Sequence, residues 1–290
     1  MLEPTALARQ ETAAIAPGFY ENMSFEDYAA QPGINGSSIV HMRRSPMFYK
    51  FMRDNPQSPT PAMILGTATH RMILEPDRVG DFAVWDQETQ GRRFGRVWDA
   101  FKEANADKLI LTATERDAMV GMAVGARRNA PIRKYADIKG RCEVSMFWDF
   151  NGKRYKGRVD KLCEGHVIFD LKTTRDCRAW KFSSQAFQLA YHIKMALYWS
   201  GYRSLAGKEP KMRLGAIESK APHESAVYRI TPDVLALGLE ELQELEQKLA
   251  VCESRNEWPA AETEEIDLQL PKWATTDSDG DFEIEGLDLE

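Results

Sequence analysis

Asp160 and the triplet Asp170-Leu171-Lys172 are the residues of this chain best suited to chemistry. Apolar and polar residues alternate around both, so each lies on a strand, and Asp170 and Lys172 share one strand face. The turn between the two strands folds Asp160 back toward Asp170. Two carboxylates brought together make a hard-oxygen site suited to Mg²⁺, with Mn²⁺ as a substitute. A cation held there polarises a phosphoryl oxygen and lowers the pKa of water. Lys172 can orient or help deprotonate that water, or neutralise charge building on a phosphate. An isolated Asp-x-Lys carries little information, because charged strand residues ordinarily form the solvated face of a half-buried sheet.

The elements that must position these groups are readable around them. Val144, Met146 and Trp148 alternate with Glu143, Ser145 and Phe147 as in a strand. Asn151-Gly152 is a strong hairpin signal. Lys153 to Cys163 returns as a second strand, Glu164-Gly165 turns again, and His166 to Thr173 forms a third. A three-stranded antiparallel meander is thus predicted over 142–173. One long helix should follow from Trp180 to Trp199, stopping at Ser200-Gly201, then strands over 211–218 and 224–230. Thr231-Pro232-Asp233 opens a last helix that runs to about Glu253. Ahead of the meander, Gly33-Ile34-Asn35-Gly36 is a turn, after which Ser37 or Ser38 can cap a helix ending near Ser45-Pro46. A second helix spans Ala62 to Leu74 and stops at Glu75-Pro76; residues 91–130 read as two helices, the later one capped by Thr112 or Thr114.

The predicted organisation is an N-terminal extension over 1–21, partly disordered, one α/β domain over 22–256, and an acidic, largely disordered tail over 257–290. The net charge of -6 is uneven: residues 261–290 hold eleven acidic side chains and one basic, which leaves residues 1–260 at +4. A mildly basic body is compatible with a phosphate-rich partner. Asp277, Asp279 and Asp281 faintly suggest a calcium loop, but Phe282 occupies the glycine position and the reading is rejected. No secretory leader pattern and no apolar run of bilayer length is present, and Cys142, Cys163, Cys177 and Cys252 form no CxxC pair. A reducing cytoplasm is the expected location.

Further candidates surround the central trio. Gly66-Thr67-Ala68-Thr69-His70 combines small residues, which allow close approach of another element, with an imidazole that Mn²⁺ accepts as ligand. Glu143 can add a carboxylate at the start of the meander. The helix after the sheet carries Gln188, Tyr191, Lys194 and Tyr198, of which the last two lie one turn apart and can flank a phosphate backbone. Arg43, Arg44, Arg92 and Arg93 are candidates to line a DNA channel, and backbone N–H groups at Ser37 and Ser38 can meet a phosphate.

Taken in order, Gly66-x-x-x-His70, Gly157-Arg158-Val159-Asp160, Asp170-Leu171-Lys172-Thr173-Thr174 and the helix ending in Tyr198 resemble the RecE-type exonuclease VIII proteins of phages and prophages. These fall in the RecB-like branch of the PD-(D/E)XK nuclease superfamily. Glu26-Asp27-Tyr28, Gly33-Ile34, Ser45-Pro46 and Leu74-Glu75-Pro76 extend the resemblance over about residues 22–235. It implies a restriction-endonuclease-like core, with a central mixed β-sheet flanked by helices. It also implies His70, Asp160, Asp170 and the Leu171 carbonyl as metal ligands and Lys172 as the catalytic lysine. The implied activity is Mg²⁺-dependent 5′→3′ degradation of linear duplex DNA by a homo-oligomeric ring, feeding a RecT-like annealing partner. The family pattern places Gln-x-x-x-Tyr on the following helix, where this chain has Lys194-x-x-x-Tyr198. A related branch ties an iron–sulfur cluster with one cysteine ahead of the His motif and three late ones; no cysteine precedes His70 here, so no cluster is expected. An endonuclease or flap nuclease on the same scaffold, and a non-catalytic DNA-binding protein retaining it, are the competing readings.

Overall fold

Side-chain caps set where most helices of the computed structural model begin; it describes residues 14–269. An N-terminal arm contributes β1 (Gly18–Tyr20) and α1 (Phe25–Ala30), the helix capped by Ser24. Next come α2 (Gly36–Ile39), a 3-10 turn over Val40–Arg43, and α3 (Pro46–Asp54), then α4 (Pro61–Leu74), capped by Thr60. A small annex holds β2 (Phe82–Trp85), α5 (Gln87–Gln90), α6 (Gly95–Ala104) and β3 (Leu109–Thr112). Thr112 and Glu115 form a capping box that opens α7 (Ala113–Arg128), and α8 (Ala130–Asp137) follows under an Asn129 cap. The meander is β4 (Gly140–Phe150), β5 (Lys153–Cys163) and β6 (Val167–Thr174). The remainder is α9 (Ala179–Gln188), α10 (Tyr191–Ala206), β7 (Lys211–Glu218), β8 (Ser225–Arg229) and α11 (Pro232–Arg255).

The main sheet runs β1-β4-β5-β6-β7-β8, with only the β6–β7 pair parallel. It is the expected mixed sheet between helical layers. On one face Val144, Met146, Trp148 and Ile168 pack with Ile193 and Leu197 of α10 and Leu242 and Leu245 of α11. On the other, Phe169, Leu171 and Ile217 meet Ile73 of α4, Met122 and Ala126 of α7 and Ile132 of α8. Apolar burial on both faces explains why Val167, Ile168, Phe169 and Leu171 of β6 are apolar, with Asp170 and Lys172 the charged residues of the strand.

The sheet forks. β5 pairs with β6 only from Lys161↔Phe169 to Cys163↔Val167. Beyond that point β6 leaves with β7, and the vacated edge of β5 is taken by Ile34, which donates to the Arg154 carbonyl and accepts from the Lys156 N–H at 2.9 Å each. The β4–β5 ladder is also interrupted, between Cys142↔Lys161 and Val144↔Val159, where Glu143 adopts a left-handed φ of 51°. Val144, Met146 and Trp148 join the α10 layer while Cys142 joins the α4 layer. Alternation therefore shifts by one residue at Glu143, a change of face that the regular period-2 pattern could not predict.

Basic side chains of β5 hold backbone rather than solvent. Arg154 donates to the Ile15 carbonyl, Lys156 to those of Tyr28, Ala29 and Gln31, and Arg158 to that of Met23. Lys156 and Lys161 are each only 5% exposed, and Lys161 donates to the Ala136 carbonyl. Each lysine thus satisfies orphan carbonyls at a helix C-terminus.

Several expectations need correction. Gly18–Tyr20 of the N-terminal extension is a strand on β4. Asn35, not Ser37 or Ser38, caps α2: its side chain accepts the Ser38 N–H at 2.9 Å. Short strands β2 and β3 flank the helix expected in the first half of 91–130 and pair in parallel with each other. The single helix over 180–199 is two, broken at Ala190, whose φ is 56°. Gly201 does not stop α10; it sits inside the helix because a Cβ there would lie 2.7 Å from the Trp148 ring. Directly after α11, residues 258 and 259 touch the body: Trp258 stacks on Tyr49 at 6.0 Å and the Pro259 carbonyl accepts from the Met47 N–H. Asp277, Asp279 and Asp281 lie outside the described residues.

Candidate active site

The fork between β5 and β6 is where the acidic groups gather. With β6 turning away, the Leu171 N–H loses a strand partner, and the Asp160 carboxylate takes its place, accepting at 2.7 Å. His70 comes from α4, with Nδ1 3.3 Å from the same Asp160 oxygen. Asp170 pairs with Lys172, and the Lys172 ammonium also donates to the Leu171 carbonyl at 2.9 Å. Asp160, Asp170, Lys172, His70 and the Leu171 carbonyl are thus brought together. Gly157 lets the Tyr198 ring of α10 lie on β5, since a Cβ there would sit 2.9 Å from it. Gly66 is less demanding: a Cβ there would meet Thr173 at an ordinary 3.7 Å, so the close approach expected of this glycine is not required.

Electrostatics separate the carboxyls. Burial opposes charge on Asp160, yet the His70 imidazole, the Lys172 ammonium and the Leu171 N–H hold its carboxyl well below the ordinary range. Burial and the nearby Asp160 charge push Asp170 up to about 6 against the pull of Lys172. Glu143 is likewise raised by burial and by Asp160, with Arg158 opposing. Lys172 is raised by Asp170 and Asp160, which outweigh the effect of its burial, and it stays a cation. Asp170 is 1% exposed, and no donor reaches its Oδ2 with hydrogen-bond geometry beyond the ion pair with Lys172. A buried oxygen left in that state, beside a second carboxylate, an imidazole and a carbonyl, fits a hard divalent cation.

A proton and a cation compete for Asp170. Affinity for Mg²⁺ or Mn²⁺ should be flat above about pH 6 and fall about tenfold per pH unit below it. Calorimetric titration with Mn²⁺ at about pH 5 and about pH 8 checks this, and equal affinities at both would remove Asp170 from the ligand set.

The other expected residues divide. Tyr191 is central: the Lys172 and Lys194 ammoniums lie 5.6 and 5.5 Å from its ring centroid. Gln188 is exposed at the end of α9, and no contact ties it to the carboxylates. Arg43 bonds the Phe187 carbonyl and pairs with Glu241, so it links α9 to α11. Arg44 lies over the Phe48 ring at 4.2 Å. Arg92 is exposed in the annex, whereas Arg93 pairs with Glu115, and neither touches the carboxylate group. Ser37 is exposed and Ser38 half-buried on α2, whose Gly36 packs on Lys194.

Arg158 was assigned no role from the sequence. It bonds Glu143 at 2.8 Å and Ser145 and the Met23 carbonyl at 2.9 Å, which links the arm to the centre. Its place opposite Ser145 requires the strand register, although Arg158 lies within the Gly157-Arg158-Val159-Asp160 motif. Cys177, Glu218 and Glu224 also place ligand-type atoms within 4.8 Å of one another. Burial and Glu218 push the Cys177 thiol up to about 11, which keeps it protonated.

Comparisons with known proteins bear on the family and the fold. Residues 37–269 match the family described as a PDDEXK-like domain of unknown function, DUF3799. The chain belongs to that family. The PDDEXK-like fold recurs in a crystal structure from Eubacterium rectale described as a candidate exonuclease, with a TM-score of 0.61 and 15% identity over 89% of this chain and 100% of that one. A structure described as SSO0001, with a TM-score of 0.26 and 11% identity over 71% of this chain and 84% of that one, is too distant to support any argument. No curated protein matches. Fold and family are those of the PD-(D/E)XK nucleases, which generally use divalent metals. Among the described residues of this PDDEXK-like chain, no helix is long and apolar enough to cross a membrane.

Proposed function

We propose that this chain is a metal-dependent exodeoxyribonuclease that degrades linear double-stranded DNA in the 5′→3′ direction and exposes single strands for recombination by annealing. The observation that carries the reading is the fork, where Asp160, Asp170, Lys172 and His70 converge and the buried Asp170 carboxylate is paired with the Lys172 ammonium. Asp160, Asp170, His70 and the Leu171 carbonyl would hold the cation, which we assign as Mg²⁺. A divalent cation bound there supplies Lewis-acid charge at the phosphodiester.

The chain's own groups do the rest. Lys172, kept cationic by two carboxylates, faces the reacting phosphate and orients the attacking water. Its second bond, to the Leu171 carbonyl, fixes the ammonium and steadies that carbonyl as a ligand. Glu143, braced by Arg158, adds a carboxylate beside Asp160 that can accept a proton from water. The end preference, the homo-oligomeric ring, the RecT-like partner and a cytoplasmic site of action rest on the sequence resemblance to RecE-type proteins.

A 5′-labelled linear duplex and a covalently closed circle, each incubated with Mg²⁺ and either the natural chain or Asp170→Ala, test the reading. The natural chain should release label early from the linear duplex and leave the circle intact, and the variant should do neither. Cutting of the circle would make the protein an endonuclease. If both proteins are inert and bind DNA ends equally, it is a non-catalytic DNA-binding protein.

A further inference from the structure

Trp180 is the only exposed tryptophan among the described residues, with 64% of it open to solvent. It lies at the start of α9, on the segment that leaves β6 just after Lys172. Phe182, two residues on, is buried against the rings of Tyr191 and Tyr228, so Trp180 takes the opposite side of the helix. Tyr191 is also the ring 5.6 Å from the Lys172 ammonium, so a single side chain separates α9 from the active centre. The segment is firmly held. The Cys177 N–H donates to Glu218 at 2.9 Å, the Cys177 carbonyl accepts from Tyr228, and Thr174 of β6 donates to Gln185 of α9 at 2.5 Å. Trp180 is thus presented on a backbone that needs no further ordering to bind.

Among the described residues no ring stacks on Trp180. Its neighbours are cations, with the Lys181 ammonium 4.3 Å and the Arg178 guanidinium 5.6 Å from its ring centroid. Arg178 pairs with Asp176, and the nearby carboxylates of Glu218 and Glu224 gather at Cys177. Exposed Lys181 and Arg175 meet no carboxylate at ion-pair distance among the described residues. Exposed Ser183 and Ser184 separate Trp180 from Phe187, whose ring is already stacked on His192 at 4.5 Å. An isolated ring set among charges and hydroxyls is not the contiguous apolar patch that a protein partner covers. It has the chemistry of a site for an unpaired nucleotide, in which a base stacks on the aromatic face and phosphates meet the cations.

We propose that Trp180 is a base-stacking residue for single-stranded DNA, with Lys181 and Arg175 meeting the phosphates of the stacked strand. The choice of DNA as ligand rests on the nuclease reading, and the proposal adds a hold on the unpaired strand outside the carboxylate centre. Bases within a duplex are already paired and stacked, so this contact distinguishes unpaired from paired DNA.

The test measures binding of a labelled oligothymidylate and of a blunt duplex, without divalent cation so that neither is cut. Trp180→Ala should weaken oligothymidylate binding by about five- to a hundredfold, and Trp180→Phe should keep most of the affinity. The melting temperature and duplex binding should hold in both. Lys181→Met should lower the slope of log affinity against log salt for the oligothymidylate by about 0.7. Oligothymidylate binding that is absent in the natural chain, or unchanged in Trp180→Ala, overturns the proposal, and so does an equal loss on the duplex. Unchanged oligothymidylate affinity together with a smaller assembly on gel filtration would make the ring a contact between copies of the chain instead. Should Trp180→Ala fail to fold, Trp180→Leu carries the same expectations. A natural chain that binds the oligothymidylate through Trp180 but cleaves nothing in Mg²⁺ sinks the nuclease reading and leaves the stacking contact standing.

Discussion

Asp170→Asn is expected to lower DNA cleavage by at least about 10³-fold, the scale on which losing one member of a catalytic unit is felt. The amide keeps the volume of the carboxylate, so packing at this 1% exposed position survives. What disappears is the charge that a cation needs. The natural chain should gain thermal stability on adding Mg²⁺ or Mn²⁺, by about 2.7 kcal/mol at a hundred times Kd, and the variant should lose most of that gain. Binding to duplex DNA should persist, since phosphate contacts do not pass through Asp170. Cleavage at the natural rate by Asp170→Asn would place the active centre elsewhere in the molecule.

Lys172→Met separates chemistry from metal binding. Removing the ammonium leaves Asp160 and Asp170 buried together without their shared cation, and breaking a buried pair in this way costs about 3 kcal/mol. Asp170 limits the loss by taking up a proton, which its raised pKa already favours. For a domain of this size the metal-free melting temperature should drop on the order of 5–10 °C. A divalent cation supplies the missing positive charge, so Mg²⁺ should stabilise Lys172→Met more than it stabilises the natural chain. Cleavage should nonetheless stay lower by about 10³-fold or more, because a bound cation does not orient the attacking water. Calorimetry with and without Mg²⁺, together with the duplex assay, checks both halves. A variant that is equally stable without metal and fully active would refute the role given to Lys172.

Much of the centre was legible because local chemistry and tertiary structure agree there. Asn151 and Gly152 take the positive φ values, 48° and 73°, that the hairpin signal demands. Thr112 and Thr231 mark the helix starts they were expected to mark. Asp160, Asp170 and Lys172 fall on neighbouring strands as the hairpin arithmetic requires. Several misreadings share a physical cause: a residue whose backbone is set by something distant. Ala190 is left-handed without a glycine or proline to announce it, and the break turns Tyr191 toward Lys172. Gly201 looks like a stop until the Trp148 ring is seen against it. The left-handed turn at Glu143 has no local signature, although it is what changes the face of β4 beside the carboxylates.

The basic side chains of β5 bear on how the molecule is assembled. Arg154, Lys156 and Arg158 bind carbonyls of the arm that lie 125 to 139 residues earlier in the chain. Contacts of such long range form only after the intervening loop has been closed. On the ribosome the arm therefore emerges well before the strand that will hold it, and it must wait for the β4–β5 hairpin to be made and folded. Arg158 cannot brace Glu143 against the Met23 carbonyl until that docking is complete. The arm, made early, is held by a strand made late.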